Sequence, residues 1–123
     1  MDCRISIDSG LTLDALAAQL AAKLMTRVSE LPFEKTLTTA VGEMSLRKND
    51  EYASERTREV NGFLYYRYGM EFYPRPGATL PERIETVAAV LRALASLDVR
   101  AVAACDYEDR LPNDGRVGSN ALS

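Results

Sequence analysis

Residues 62–73, GFLYYRYGMEFY, constrain the fold more than any other stretch, because a period of two divides them into two chemically different faces. Leu64, Tyr66, Tyr68, Met70 and Phe72 make one face apolar and aromatic, as a strand lying on a core requires. Phe63, Tyr65, Arg67, Gly69, Glu71 and Tyr73 make the other, mixing rings with charges of both signs. The pattern predicts a strand whose second face is turned away from the core and suits contact with another molecule. Pro74, Arg75, Pro76 and Gly77 end it, since proline cannot continue a hydrogen-bonded ladder.

Around this strand the chain alternates element types. Cys3, Ile5 and Ile7 alternate with Arg4, Ser6 and Asp8, which predicts a short half-buried strand turning at Ser9-Gly10. Thr12 is placed to cap a helix, Asp14 suits its first turn, and Leu13, Leu16, Ala17, Leu20 and Leu24 recur at helical spacing. Residues 27–36 contain Pro32 and several charges and read as an irregular connection. Residues 37–47 read as a second strand weakened by Gly42, and 47–61, without apolar periodicity, as a long surface loop. Thr79-Leu80-Pro81-Glu82 has the form of a capping box with proline in the first turn. It opens a helix running to about Leu97, with Ile84, Val87, Ala88, Leu91, Leu94 and Ala95 as its buried stripe. A last strand rich in Val and Ala follows from Val99 to about Tyr107.

The order strand, helix, strand, strand, helix, strand predicts a ferredoxin-like βαββαβ sandwich, a four-stranded antiparallel sheet with two helices on one face. In that arrangement the last strand lies beside the first, the first beside residues 62–73, and residues 37–47 at the far edge. Residues 1–111 are expected to form a single α+β domain and residues 112–123 a flexible C-terminal tail. A chain of 123 residues is long enough to bury a core without metal or disulfide support.

Charge and composition exclude several function classes. Fifteen Lys and Arg stand against 18 Asp and Glu, and without a basic face nucleic-acid binding is not expected. The chain also lacks the aromatic and glycine run of RNA-recognition domains, whose exposed sheets it otherwise suggests. Histidine is absent, which removes Ser-His and Cys-His nucleophile systems and the common catalytic zinc sites. The isolated glycines make no phosphate cradle, so no cofactor is expected. MDCRISIDSG lacks the charged-then-apolar design of a signal peptide and no apolar run has the length of a membrane span, so a cytoplasmic location is expected. Cys3 and Cys105 then read as reduced, buried small hydrophobes.

Two sets of residues are candidates for function. Phe63, Tyr65, Arg67, Glu71 and Tyr73 form a candidate binding surface on the open sheet face, beside Arg4, Ser6, Glu43, Ser45 and Arg47. The competing account of that face is a solvated surface with cross-strand ion pairs joining Glu43 or Glu71 to Arg67. Asp106, Glu108 and Asp109 form a candidate acidic patch for a basic partner, with a polar strand end, a divalent-cation site and paired carboxylates for acid/base work as the other readings. No complete metal shell is identifiable.

GFLYYRYGMEFYP followed by a helix and AVAACDYEDRLP resembles small single-domain bacterial proteins of unassigned function. That resemblance covers under half of the chain and implies a compact cytosolic domain with no transferable active site. The leading functional expectation is a protein-binding module, an inhibitor or immunity-type partner of a basic protein rather than an enzyme. The alternatives are a small-molecule sensor or enzyme using Tyr65, Arg67 and Glu71 under the 47–61 loop, and a homodimer formed through the open face.

Overall fold

The computed structural model describes residues 1–31, 33–59 and 61–118. Seven strands and two helices follow one another as β1 (Cys3–Asp8), α1 (Leu13–Leu24), β2 (Arg27–Glu30), β3 (Glu34–Thr38), β4 (Gly42–Lys48), β5 (Tyr68–Pro74), α2 (Leu80–Ala95), β6 (Arg100–Ala104) and β7 (Arg116–Val117). They form one antiparallel sheet in the order β2-β3-β4-β5-β1-β6-β7.

The predicted four-stranded ferredoxin-like sandwich is therefore overturned. The four segments expected as strands do lie side by side, but the sheet continues beyond them at both edges. At one edge, residues 27–36, expected as an irregular connection, supply β2 and begin β3. The reason lies in Lys35, which occupies an inward position opposite Leu46 and is buried, its ammonium reaching the Asp14 carboxylate at 2.9 Å. Its aliphatic stem fills space beneath α1 while the charge is neutralised at the rim. A charged residue on the core side breaks the apolar alternation by which a strand is recognised.

Residues 37–47, expected as one strand, are split by a turn at 39–41. The Thr39 hydroxyl accepts hydrogen bonds from the Val41 and Gly42 amides, both at 3.1 Å, so a side chain closes this hairpin. At the other edge β7 pairs Val117 with Ala101, and Gly115 and Val117 are buried. Residues 112–118, expected to belong to a flexible tail, thus carry a turn and a strand; residues 119–123 lie outside the described residues.

Both helices start as predicted. The Thr12 hydroxyl accepts from the Ala15 amide at 3.1 Å. At α2, Glu82 N donates to the Thr79 hydroxyl at 3.2 Å and Thr79 N donates to Glu82 Oε1 at 2.8 Å, completing the capping box. α1 packs over β2, β3 and β4, and α2 over β6 and β7, with the two helices touching. The core between them and the sheet holds Ile5, Ile7, Leu37, Met44, Leu46, Met70 and Phe72 from the strands and Leu16, Leu20, Val87, Leu91 and Leu94 from the helices.

The central strand begins later than its alternation suggests. Tyr68, Met70 and Phe72 face the core, whereas residues 62–65 form a 3-10 turn and Leu64, expected to be buried, is 52% exposed. Residues 49–59 and 61–66 fold into a compact loop over one end of the sheet. Buried Asn49 organises it, donating from Nδ2 to the carbonyls of Leu64 at 3.0 Å and Tyr66 at 2.8 Å and accepting from the Glu51 amide at 3.1 Å. Gly62 is required because a Cβ there would stand 2.1 Å from the Thr57 carbonyl oxygen, a backbone atom with no room to yield. Gly62→Ala is expected to open this loop at a cost of about 2 kcal/mol and to speed proteolytic cleavage between residues 51 and 59. Unchanged cleavage kinetics relative to the parent chain would show that the loop does not depend on this contact.

Candidate functional site

The centre of the open sheet face is built around one carboxylate. β5 runs between β1 and β4 with Glu71 directly opposite Arg4 on one side and Ser45 on the other. Arg4 Nη1 meets Glu71 Oε2 at 3.3 Å, Arg47 Nη2 meets Oε1 at 3.5 Å, and the Tyr73 hydroxyl donates to Oε1 at 2.7 Å. The Glu71 side chain is only 14% exposed, covered by the groups it holds. Gly69 leaves room for the Arg4 guanidinium beside it: a Cβ there would lie 2.8 Å from Arg4 Nη2, which would have to shift. The hydrogen bond to the Glu71 carboxylate is the main cause holding the Tyr73 phenol above the ordinary tyrosine range.

The expected pairing of Glu43 or Glu71 with Arg67 is not formed; Glu71 takes Arg4 and Arg47 instead. Further along the face Arg100 pairs with Asp8, its guanidinium 5.2 Å from the centre of the buried Tyr66 ring, and the Ser45 hydroxyl donates to Glu34.

The five residues of the candidate binding surface occupy three places. Glu71 and Tyr73 share the open face. Phe63 and Tyr65 stand on the 3-10 turn beyond the strand, where the Arg56 guanidinium lies 4.0 Å from the Tyr65 ring centre. Arg67 sits between them, donating to the Ser9 carbonyl at 3.4 Å with its guanidinium 5.1 Å from the Tyr68 ring centre. Among the described residues no carboxylate lies within ion-pair distance of it. Two clefts meet at this arginine. One, about 550 Å³, is lined by Leu13, Phe33, Glu34, Arg47, Lys48, Asp50 and Tyr68; the other, about 290 Å³, by Asp8, Ser9, Tyr52, Ser54 and Thr57. Asn49, Arg56 and Gly62, which shape the loop beside them, carry no signal in the sequence because each acts through contacts with backbone or ring groups that only the folded loop supplies.

The acidic residues sit at the opposite end of β1 and β6. Asp106, Glu108 and Asp109 are exposed on a turn, and Glu108 Oε2 accepts from the Cys105 amide at 3.0 Å. Asp106 and Asp109 form no ion pair among the described residues. Behind the turn, Asp2 accepts from the buried Tyr107 hydroxyl at 2.5 Å and pairs with Arg83 at 2.8 Å. Burial, then the hydrogen bond to Asp2, holds the Tyr107 phenol well above its usual range. Among the described residues no group of three His, Cys, Asp or Glu side chains is placed to hold a metal ion, and no helix is long and apolar enough to cross a membrane. Comparison with protein-family models, with curated proteins and with solved structures gave no match to this chain.

Proposed function

We propose that this protein is a binding module that engages another protein through the open sheet face around Glu71. The observation that carries this reading is the clamping of Tyr73 and Arg47 by one shielded carboxylate. Tyr73 is 45% exposed and the Arg47 side chain 54%, yet both are tied to Glu71 Oε1. Tyr and Arg are the side chains most often found as interface anchors, and holding them in place beforehand removes part of the ordering cost of association. Asp106 and Asp109, without an ion pair among the described residues, and a formal net charge of −3 favour a partner with a basic surface, of the kind an inhibitory module would cover.

Capture from lysate of the native cell tests it, with the wild-type chain compared against Tyr73→Ala/Arg47→Ala and against Phe63→Ala as a control distant from the face. The expected result is a protein retained by wild type and control and lost by the double variant. Equal retention by all three would move the contact elsewhere, and sedimentation of the wild type as a dimer that the double variant dissociates would assign the face to a second copy of this chain.

A second reading rests on Arg67. A half-buried guanidinium without a carboxylate partner among the described residues, between two clefts walled by Lys48, Asp50, Tyr52, Ser54 and Thr57, suits a small anionic ligand. In that reading Arg67 acts without Tyr65 or Glu71, which the fold engages with Arg56 and with Arg4 and Arg47.

A further inference from the structure

We propose that Cys3 and Cys105 are a modification site, forming a reversible intramolecular disulfide by exchange with a low-molecular-weight disulfide. The residues are 102 positions apart in sequence, but the antiparallel register of β1 and β6 places Arg4 opposite Ala104, and Cys3 and Cys105 are the next residues along, Cys105 in the bend just past the end of β6. Directly opposed residues in an antiparallel pair have Cα atoms about 4.5–5.5 Å apart, within the range a disulfide spans. Burial first, and the neighbouring Cys105 second, hold the Cys3 thiol above its ordinary range. Their access differs in a useful way: Cys3 is buried, while Cys105 stands half-buried just beyond the end of β6.

Cys105 therefore reacts first. Its thiolate attacks one sulfur of the small disulfide, releasing a small thiol that leaves with the bonding electron pair and takes up the proton Cys105 lost. Cys3, deprotonated in turn, attacks the Cys105 sulfur of the mixed disulfide and expels the second small thiol, which takes the second proton. Two protein thiols are oxidised and the small disulfide is reduced to two thiols. Both protein thiols are held above the ordinary thiol range, mainly by burial, so exchange is slow near neutral pH. The bond would close nearly the whole chain into one loop, fastening the start of β1 to the end of β6 and restricting the unfolded ensemble.

The full chain is incubated with oxidised glutathione at millimolar concentration, denatured, alkylated and weighed intact. The expected product has lost about two mass units, for the two hydrogens removed, and takes no alkyl group. Its melting midpoint is expected to rise by roughly 10 °C and to return on addition of dithiothreitol. Cys105→Ser should melt with the reduced wild type before and after oxidant, which separates the bond from any effect of oxidant on the fold. Two alkylatable thiols remaining at equilibrium, a stable single glutathione adduct on Cys105, or a disulfide-linked dimer would each overturn the proposal.

Discussion

Replacing Phe72 by alanine is expected to lower the unfolding free energy by about 4 kcal/mol, among the largest losses any single substitution in this chain should cause. Phe72 is the largest fully buried side chain, sits on the central strand β5, and lies between Cys3 of β1 and Met44 of β4 in register. Truncation removes its burial and leaves a cavity walled by both neighbouring strands and the helices above, which cannot all collapse inward together. Tyr65→Ala, on the 3-10 turn outside the sheet, should cost no more than about 1 kcal/mol. Urea denaturation of the two variants is the measurement. Equal losses would mean that the turn at 62–65 belongs to the core, and a larger loss for Tyr65→Ala would place the wrong face of this segment inward.

Stability is expected to fall steeply with alkaline pH in the reduced protein. Burial is the main cause that keeps Cys3, Tyr107 and Tyr68 protonated in the fold, and Tyr68 also donates its hydroxyl proton to the Leu11 carbonyl at 2.6 Å. In the unfolded chain the thiol ionises from about pH 9 and the phenols from about pH 10. Below about pH 9 both states hold these protons, and the contribution to stability is fully present. Above it the folded state binds more protons than the unfolded one, so the unfolding free energy declines as pH rises. Each such group steepens the decline by about 1.4 kcal/mol per pH unit. Urea denaturation under dithiothreitol between pH 7 and pH 11 should show the decline beginning near pH 9, and the double variant Cys3→Ala/Cys105→Ala, which leaves only the phenols, should delay its onset by about one pH unit. A profile that stays flat to pH 11 would mean that these groups reach water in the folded state.

How much of this molecule is legible in its residues depends on the range of the interactions involved. Thr12 and the Thr79-Glu82 capping box close within three residues, so the helix starts can be read directly. The alternation of Tyr68, Met70 and Phe72 reports one face of one strand and survives in the fold; its extension back to Leu64 does not, because Asn49 draws the 62–66 backbone into a loop. Neither the place of Lys35 beneath α1 nor the hairpin it belongs to can be read from a local pattern, since its carboxylate partner Asp14 lies on another element. The same holds for the two functional features.

The alternation of residues 62–73 put Glu71 and Tyr73 on an open face, and residue types alone marked Asp106, Glu108 and Asp109 as an acidic patch. Which groups meet was decided by strand pairing. Glu71 joins Arg4 and Arg47 rather than Arg67 because β5 lies between β1 and β4, and Cys3 and Cys105 stand one residue beyond the Arg4–Ala104 pair because β1 lies between β5 and β6. Periodicity and capping are short-range effects that each segment carries within itself. Partner choice across a sheet depends on the order and register of strands far apart in the chain, which are set by burying all the apolar faces at once under two helices.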